Sequence, residues 1–579
     1  MRRTSVLFAV AAALVLAAPA SAATTDGAVN GTPPGSPTAP FSQNKQNEPA
    51  MAIDARHPNI VVAGSNDEID EEACNAGKDS TCLFTNGVGV SGFYFSSDSG
   101  RTWKQPTYTG FTARQCLGVV GDTDPDCTGA AGPIGTIPWY YENGLASDGD
   151  PALAFGPVPG RNGSFSWANG SRLYYANLTS NFPGTSTFKG FEAIGVSRTD
   201  NAQAAAAGGV AGKAAWMAPV IVSKQSSTTF SDKEQIWADN ASSSPFFGNV
   251  YICWASFRGQ EKSPNAAPAP MLVATSSDGG TTWTQQLVSP AANNRNVNPM
   301  DGCTVRTDSK GNAYVFGIAR SSGTPPFEFM SVSNNGGQTW SAQTPVVGPV
   351  SQPGLFDPGL GRPTIDGIGG ARSDLAPAPS VDIANGAPTG ADATDRIVMS
   401  YVSGDIAQPH VYFTESVDQG ATWSTPIGIE TAGDRGYYAA PAISPNGTDV
   451  YVVYNAFTTP YRQNTTDPRN LVGVFLHATV GAAGTGTFSE VHRGANGDPR
   501  GTSQNGLTAE FLGDYVYAAA TRSYGAGVWN DARNAADCAA IDTWRMSLRN
   551  GTTVARPAPQ QDCQPNFGNS DIYGFTTAR

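Results

Sequence analysis

The sequence contains little charge and few histidines, and each scarcity narrows the classes of function. Only 14% of the 579 residues are charged, and only four are histidines. So few histidines argue against a metal site built from imidazole ligands. The formal net charge of -13 argues against nucleic acid or an anionic membrane surface as a partner. No long amphipathic helical pattern is visible, which points away from an α-helical fold.

Apolar runs long enough to cross a bilayer are absent after the first 20 or so residues, so we predict no transmembrane anchor. The one N-terminal apolar run, Val6 to Ala18, follows the charged start Met1-Arg2-Arg3 and precedes Ala20-Ser21-Ala22. This order is typical of a secretion signal peptide cleaved near Ala22. We therefore predict a secreted extracellular protein with a signal peptide at 1–22, a flexible leader at 23–45 and a single folded domain at 46–579.

Turn-forming residues are plentiful, with 66 glycines and 42 prolines, and one turn-like pattern repeats. The form S-x-D-x-G-x-T-W occurs at Ser96–Trp103, Ser276–Trp283, Ser333–Trp340 and Ser416–Trp423. Its acidic or amide position is Asp98, Asp278, Asn335 or Asp418, and its aromatic position is Trp103, Trp283, Trp340 or Trp423. An Asp or Asn side chain accepts backbone N–H groups in a tight turn, and Gly supplies the positive φ. Apolar runs on either side predict β-hairpins.

These four copies resemble the Asp-box, or BNR repeat, of the sialidase-superfamily β-propellers. The resemblance implies an all-β fold of four-stranded antiparallel blades. It also places each box on the turn between the third and fourth strands, on the face away from the active site. The repeat therefore indicates a fold rather than a reaction.

A second, weaker repeat consists of two apolar strands joined by a turn, and we interpret each copy as the first two strands of a blade. The copies are Pro49–Ser65, Pro151–Ala176, Glu234–Phe257, Cys303–Arg320, Ser380–Ser403, Pro441–Phe457 and Leu507–Asp531. Seven blades of about 75 residues follow, with six as the alternative, and this is longer than the usual 40–50. The outer strands of blade 7 are predicted at Asp542–Leu548 and Asp571–Thr577. The extra length predicts long top-face loops at 66–89, 111–147, 354–379 and 530–567.

Eight cysteines fit an oxidising compartment. Cys74 with Cys82 and Cys116 with Cys127 are close in sequence and are predicted to close small loops. Cys538 with Cys563 would hold the C-terminal loop, and the remaining pair, Cys253 with Cys303, would join neighbouring blades. Free buried thiols are the alternative for some of the eight.

In a propeller, the segments that lead into the innermost strands open on the top face, opposite the repeated turns. Here such segments carry acids, arginines and tyrosines. Arginine recognises carboxylates with two hydrogen bonds, and paired carboxyls divide acid and base roles in glycoside chemistry. The resemblance implies a sialidase site with three arginines on the substrate carboxylate, a tyrosine nucleophile, its activating glutamate and an aspartic acid. The candidates are Arg295, Arg362 and Arg435 for the clamp, Tyr438 with Glu510, Asp150 for the acid, and Asp301 and Asp514 for further substrate contacts.

One signature of that family is missing, because no F/Y-R-I-P sequence occurs near the start of the domain and Asn47-Glu48-Pro49 stands there instead. Three functions stay open. The chain is an exo-sialidase-like glycoside hydrolase, a glycan- or protein-binding propeller without turnover, or, more weakly, a polysaccharide lyase. Acidic side chains are able to hold Ca²⁺, but no EF-hand spacing supports it, so no cofactor is predicted. We expect a monomer whose partner is an extracellular glycan.

Overall fold

The computed structural model describes residues 26–30, 41–74, 82, 84–118, 127–223, 226–258, 270–289, 300–319 and 325–579. These residues form the seven antiparallel blades of a β-propeller, which confirms the predicted fold and its blade number. The predicted signal peptide at 1–22 lies outside the described residues. No helix in the described ranges is long and apolar enough to cross a membrane.

The first half of the chain supplies an N-terminal strand and blades 1 to 3. The chain enters the fold as β1 (Gly27–Ala28). Blade 1 contains β2 (Gln46–Ile53), β3 (Val61–Asp67) and β4 (Ser91–Ser96), and a hairpin of β5 (Tyr108–Thr112) and β6 (Ala130–Ile134) follows it. Blade 2 contains β7 (Leu145–Pro159), β8 (Phe165–Asn181), β9 (Ala193–Thr199) and β10 (Trp216–Ile221), with α1 (Ala202–Ala205) and α2 (Gly209–Ala214) before β10. Blade 3 contains β11 (Thr229–Ala238), β12 (Val250–Arg258), β13 (Met271–Ser276) and β14 (Thr284–Leu287).

The second half supplies blades 4 to 7. Blade 4 contains β15 (Met300–Thr307), β16 (Ala313–Ala319), β17 (Phe327–Ser333) and β18 (Thr344–Val347), and a hairpin of β19 (Leu355–Asp357) and β20 (Arg362–Thr364) follows. Blade 5 contains β21 (Ser380–Ile383), β22 (Ile397–Gly404), β23 (Pro409–Ser416) and β24 (Ile427–Gly428). Blade 6 contains β25 (Arg435–Ile443), β26 (Asp449–Phe457), β27 (Leu471–Gly481), the short β28 (Gly484–Thr485) and β29 (Ser489–Arg493). Blade 7 contains β30 (Tyr517–Ala520), β31 (Gly525–Asp531) and β32 (Asp571–Thr576), with α3 (Ala539–Asn550) and α4 (Pro559–Asp562) before β32.

The outermost strand of blade 7 comes from the N-terminus. β1 pairs antiparallel with β32, so that Gly27 lies opposite Gly574 and Ala28 opposite Tyr573. The Asp26 carboxylate also pairs with the Arg533 guanidinium. The predicted flexible leader at 23–45 is therefore wrong for this part of the segment, because these residues complete a sheet.

The last blade differs from prediction in a second place. The range 542–548 is helical rather than a strand, since it lies inside α3. Ile541, Trp544 and Arg545 are buried on one side of this helix, which is the i, i+3, i+4 spacing of a helical face. The helix ends at Gly551 in the left-handed conformation, a common helix C-terminus. Asp571–Thr576 is a strand, as predicted.

Three of the repeated turns lie between the third and fourth strands of blades 3, 4 and 5, and the copy in blade 1 follows the third strand, β4. In blade 3, Asp278 Oδ1 accepts the Thr282 backbone N–H at 2.9 Å and its Oδ2 accepts the Thr282 hydroxyl at 2.6 Å. The Ser276 hydroxyl donates to Asp278 at 2.8 Å and accepts the Gly280 N–H at 2.9 Å. The Trp283 indole donates to the Gly280 carbonyl at 3.2 Å. The side chains of Ser276, Asp278, Thr282 and Trp283 thus all form hydrogen bonds within this eight-residue turn.

The blade 4 copy shows how Asn serves in place of Asp. Asn335 Oδ1 accepts the Thr339 N–H at 3.0 Å, and its Nδ2 donates to the Thr339 hydroxyl at 2.7 Å. The threonine hydroxyl has therefore changed from donor to acceptor. The indole nitrogen of Trp340 is buried without a hydrogen-bond acceptor among the described residues, unlike its counterpart in blade 3. The substitution preserves the turn, while one donor of this copy is unsatisfied.

Four disulfides form with the predicted pairing, and no cysteine in the described residues is free. Cys74–Cys82, Cys116–Cys127 and Cys538–Cys563 close short loops. Cys253–Cys303 joins the second strand of blade 3 to the first strand of blade 4. This last bridge is a covalent link between neighbouring blades.

Candidate functional site at the top of the central channel

The innermost strands carry the same irregularity at their top-face ends. The strand register shifts near the start of the inner strands of blades 1, 2, 3, 4 and 6. The residue at each shift has positive φ: Glu48 55°, Asp150 51°, Lys233 60°, Gly302 58° and Tyr438 46°. A bulge redirects a side chain, and left-handed backbone at a residue other than glycine is strained. The propeller thus turns a ring of polar side chains toward its axis.

Lys233 lies at the centre of this ring and contacts carboxylates from three other blades or their lead-in segments. Its Nζ is 2.6 Å from Asp150 Oδ2, 3.0 Å from Asp514 Oδ2 and 3.5 Å from Glu48 Oε1. Its aliphatic part and charge lie over the Tyr515 ring, with Nζ 5.9 Å from the ring centroid. The ammonium group compensates part of the negative charge that the three carboxyls bring to the axis.

Arg372 approaches the same carboxylates from the long loop between blades 4 and 5. Its Nε donates to Asp514 Oδ1 at 2.8 Å, and a second guanidinium nitrogen donates to Asp514 Oδ2. The same guanidinium lies 3.4 Å from Glu48 Oε1 and stacks on Phe511 at 4.8 Å. Burial acts to raise the pKa of Asp514, but Arg372 and Lys233 outweigh it and lower that pKa well below its usual value. Asp514 is therefore a permanent anion.

Two adjacent tyrosines of blade 6 close this side of the cluster. The Tyr438 hydroxyl donates to Asp514 Oδ1 at 3.0 Å. The Tyr437 hydroxyl donates to backbone carbonyl oxygens of Arg372 at 2.9 Å and Gly513 at 3.2 Å. Burial and the Asp514 charge raise the pKa of the Tyr438 phenol well above its usual value. Tyr438 is thus a neutral hydrogen-bond donor in this arrangement.

Glu48 and Asp150 form a neighbouring carboxyl pair with opposite pKa shifts. Asn66 Nδ2 lies 2.9 Å from Glu48 Oε2 and 3.4 Å from Asp150 Oδ1, and Asn66 Oδ1 accepts the Asp150 N–H at 2.6 Å. Burial and the Asp150 charge raise the pKa of Glu48 well above 4.5. Burial also acts to raise the pKa of Asp150, but Lys233 and its hydrogen bonds lower it overall. The two pKa values are therefore driven apart, and Glu48 is the more readily protonated carboxyl of the pair.

Further acids surround the cluster, and burial raises the pKa of each of them. Burial raises the pKa of Asp232 to about 6 and that of Asp301 to about 7. Burial, and then the charge of Asp150, raises the pKa of Glu234 well above its usual value, and neither Glu234 carboxyl oxygen has a hydrogen-bond partner among the described residues. A cavity of about 70 Å³ adjoins these groups. Its walls include Lys233, Glu234, Gly302, Tyr438, Asp514 and Tyr515.

The structure brings together three of the predicted site residues, Asp150, Tyr438 and Asp514. Asp301 lies at the edge of the cluster, where its carboxylate accepts the N–H of Gly302 at 2.9 Å. Arg362 lies on the β19–β20 hairpin, half-exposed and 3.2 Å from Asp374. Arg295 lies outside the described residues.

Two predicted roles are wrong because the residues are used elsewhere. Arg435 donates to the backbone carbonyls of Ile365 at 2.8 Å and Ile406 at 2.7 Å, so its guanidinium holds loops together. Glu510 is a buried partner of Arg469, and the acid that contacts Tyr438 is Asp514. Arg435 therefore adds no arginine to a clamp, and the Tyr438–Glu510 pair is replaced by Tyr438–Asp514.

Four residues of the cluster were not among the predicted site residues: Glu48, Asn66, Lys233 and Arg372. The sequence held a signal for two of them. Glu48-Pro49-Ala50 and Asp150-Pro151-Ala152 repeat the same order at the start of an inner strand, and Lys233 occupies the equivalent bulge of blade 3. Arg372 comes from an irregular loop and has no such signal.

Known proteins match this chain in structure, at low sequence identity and low TM-score, and not in sequence. No family model and no curated protein matches the chain. Among solved structures, the Hadza microbial sialidase Hz136 is 13% identical over 71% of this chain, with a TM-score of 0.40, and the chain spans 64% of that protein. The Ruminococcus gnavus intramolecular trans-sialidase is 12% identical (TM-score 0.38; 72% and 90% covered). The Penicillium chrysogenum alpha-L-arabinanase is also 12% identical (TM-score 0.34; 65% and 88% covered).

The fold is a seven-bladed β-propeller. Within this propeller, the charged cluster occupies the top mouth of the central channel, opposite the repeated turns. No group of His, Cys, Asp or Glu in the described ranges is arranged to hold a metal ion.

Proposed function

We propose that the top mouth of this propeller binds a neutral extracellular glycan and hydrolyses a glycosidic bond in it. The observation that carries this proposal is the Glu48–Asp150 pair, set by two equivalent bulges with their pKa values driven apart. Carboxyl groups whose surroundings drive their pKa values apart are the groups to which acid and base roles are assigned.

The roles follow from the protonation states. Glu48 holds the proton that a departing sugar oxygen requires, so it acts as the general acid. Asp150 remains ionised and stabilises the positive charge that develops on the sugar ring. Water then adds to the anomeric carbon, and one of its protons returns to the Glu48 carboxylate, which restores the acid. Lys233 and Arg372 keep Asp514 ionised. They also fix the positions of the side chains around the Glu48–Asp150 pair.

The charge of the mouth favours a neutral sugar over an acidic one. Among the described residues, Glu48, Asp150, Asp232 and Asp514 contact two cations, Lys233 and Arg372. These cations already pair with Asp150 and Asp514, whose pKa values are lowered. A sugar carboxylate would meet repulsion from these two carboxylates and would find both described cations already paired.

Access to the pair requires Arg372 to move. The Glu48 side chain is 1% exposed, whereas the side chains of Lys233 and Arg372 are 11% and 19% exposed. Arg372 belongs to a loop rather than to a blade strand. We expect the bound sugar to displace the guanidinium from Glu48 while its bonds to Asp514 remain.

An extracellular location agrees with the covalent structure. Four disulfides stabilise the chain, and such bridges persist in oxidising compartments. Together with the predicted signal peptide, they support secretion as part of this proposal. N-terminal sequencing of the protein exported by a secreting host would test it, with a start near residue 23 as the expected result.

A second candidate function is glycan binding without turnover. It is favoured by the internal pairing of the cluster, since both Asp514 oxygens and the Lys233 ammonium already have partners. A network satisfied in this way rigidifies a surface without requiring a reaction.

The test is hydrolysis of fluorogenic glycosides by the purified mature chain. The panel holds neutral sugars (galactose, glucose, arabinose, N-acetylglucosamine) and one sialoside. Glu48→Gln and Asp150→Asn are compared with Arg362→Ala, a charged residue of the same face that lies outside the cluster. Near-ultraviolet circular dichroism checks that each variant is folded.

Release from a neutral glycoside that falls at least 100-fold in both acid variants, and persists in Arg362→Ala, is the expected result. Release from the sialoside alone would overturn the neutral-sugar proposal in favour of a sialidase. Absence of release from every glycoside, combined with binding on a glycan array, would establish the binding function instead.

A further inference from the structure

We infer that the opposite mouth of the central channel is a second, independent binding site for a small neutral sugar. A cavity of about 190 Å³ lies where the inner strands end on the bottom face. It is larger than the cavity of about 70 Å³ beside the charged cluster. Its walls include Met51, Ile53, Leu153, Phe155, Ile383 and Ile443.

Tyr517 separates this bottom cavity from the top cluster. The residue borders both cavities. Its hydroxyl accepts a hydrogen bond from Arg306 at 3.0 Å and lies 3.4 Å from Gln235 Oε1. Tyr517 is therefore a wall shared by two separate cavities, and its hydroxyl is held by Arg306 and Gln235.

Arg306 lines the bottom cavity, and its Nε lies in a loose ion pair with Asp382 rather than in a hydrogen bond. Its guanidinium is buried and stacks on Trp237 at 4.7 Å from the ring centroid. Two of its nitrogens donate to Val305 O and the Tyr517 hydroxyl. Its Nε is buried without an acceptor in the described ranges, and Asp382 Oδ1 is 3.5 Å away. Buried donors are rarely left without a partner, so this one indicates a ligand acceptor.

The remaining charges of this mouth cancel, which selects an uncharged ligand. The Arg306 charge faces Asp382, whose other oxygen accepts the Ile443 N–H at 2.9 Å. At the exposed rim, Arg522 pairs with Asp392 at 2.6 Å. A charged ligand would bring an uncompensated charge to largely apolar walls, which is unfavourable.

The size and chemistry of the cavity match a monosaccharide. A volume of 190 Å³ corresponds to roughly a dozen water-sized spheres, similar to the number of non-hydrogen atoms in a hexose. Adjacent sugar hydroxyls accept from Arg306 Nε and donate to Asp382, while the C–H face of the ring packs on the aliphatic walls. The site therefore takes a free neutral sugar or the terminal residue of a neutral glycan.

The test uses the full mature chain and methyl glycosides of galactose, glucose, arabinose and N-acetylglucosamine. Saturation-transfer NMR detects binding, and calorimetric titration measures Kd. Three variants are compared: Arg306→Lys, which keeps the charge but removes Nε; Ser523→Trp, which narrows the exposed rim; and Glu48→Gln at the top mouth.

We expect at least one sugar to bind with a Kd in the millimolar range or tighter. Its affinity should fall at least tenfold in Arg306→Lys and in Ser523→Trp. In Glu48→Gln, which impairs the proposed site at the top mouth, binding at the bottom mouth should still be detected. Since Ser523 is exposed, its variant decides the question if Arg306→Lys does not fold.

Three results would overturn the inference. One is that no sugar of the panel binds. Another is that binding is lost in Glu48→Gln but kept in Ser523→Trp, which would place the sugar at the top mouth. The third is binding of phenol, used as an apolar control, without binding of any sugar.

Discussion

The repeated turns on the bottom face and the bulges on the top face both use left-handed backbone, but they do so with different residues. All four turns place glycine there, as at Gly280 with φ of 82°, and Ser99 and Gln419 have positive φ just before that glycine in blades 1 and 5. The bulges place Glu48, Asp150, Lys233 and Tyr438 there, and glycine at Gly302. Glycine adopts this backbone without strain, whereas strain at other residues is an observation from which a functional hypothesis starts. The turns thus stabilise single hairpins, while four of the five bulges carry polar side chains toward the axis.

The two regions also differ in the range of their contacts. Asp278 makes its hydrogen bonds within four residues along the chain. Lys233 makes its shortest contacts with Asp150 and Asp514, which belong to other parts of the ring. A turn of this kind can form together with its own hairpin. The charged cluster around Lys233 requires several blades to be in place, because its residues come from different blades.

The largest expected effect comes from removing the shared cation. Lys233→Met should lower the free energy of unfolding by about 3–5 kcal/mol, because it leaves buried carboxylates unpaired. Urea unfolding monitored by fluorescence measures this change. Lys310→Met is the control, since Lys310 is 61% exposed in its contact with Asp395 and should change stability by about 0.5 kcal/mol or less. Equal losses in the two variants would show that the cluster is no more than a surface network.

The next effect concerns pH. Because the folded pKa of Glu48 is raised above 4.5, its destabilising contribution is absent below pH 4.5 and grows as pH rises toward the folded pKa. Glu48→Gln removes this contribution. Its stability relative to the wild type should rise between pH 5 and 7 by at most about 1.4 kcal/mol per pH unit. A difference that is constant over this range would mean that Glu48 is ionised in the folded state.

A smaller effect distinguishes the two tyrosines of blade 6. Tyr438→Phe removes a hydrogen bond to a charged carboxylate and should cost about 1.5–3 kcal/mol of unfolding free energy. Tyr437→Phe removes bonds to neutral carbonyls and should cost about 0.5–1.5 kcal/mol. Denaturant unfolding of both variants at pH 7 provides the measurement. The reverse order would argue against an ionised Asp514.

The smallest effects belong to the turns. Asp278→Ala should cost about 1 kcal/mol, since hydrogen bonds in a solvent-accessible turn contribute little net stability. Asp278→Asn should be within about 0.5 kcal/mol of the wild type, because Asn335 already serves in the blade 4 copy. Thermal unfolding of the pair checks this order. If the Asn variant lost as much as the Ala variant, the carboxylate charge rather than the hydrogen-bond geometry would stabilise the turn.

The same contrast explains what the sequence predicted. The fold could be predicted because the four turns and the strand pairs form through contacts between residues that are close in sequence. The disulfides followed from spacing along the chain. Asp150, Tyr438 and Asp514 were predicted because they precede or begin inner strands. Arg372 was missed since its place depends on how a long loop folds over the ring, which no local pattern encodes.

The errors have a related origin. Arg435 and Glu510 lie in positions along the chain like those of the true cluster residues. Their partners, backbone carbonyls for Arg435 and Arg469 for Glu510, come from distant loops. The position of a residue before or at the start of an inner strand thus predicted the candidates for the top mouth. It did not predict which of these side chains bind neighbouring loops instead.

The strand Gly27–Ala28 has a consequence for the order of assembly. Blades 2 to 6 each consist of consecutive chain, so each has all its strands soon after synthesis. The seventh sheet takes β30, β31 and β32 from the C-terminal part of the chain, and it is complete only when residues 27–28 pair with β32. A molecule lacking residues 27–28 would expose the edge of the six-residue β32 in place of the edge of a two-residue strand, and a longer free edge is a better template for association with a second copy.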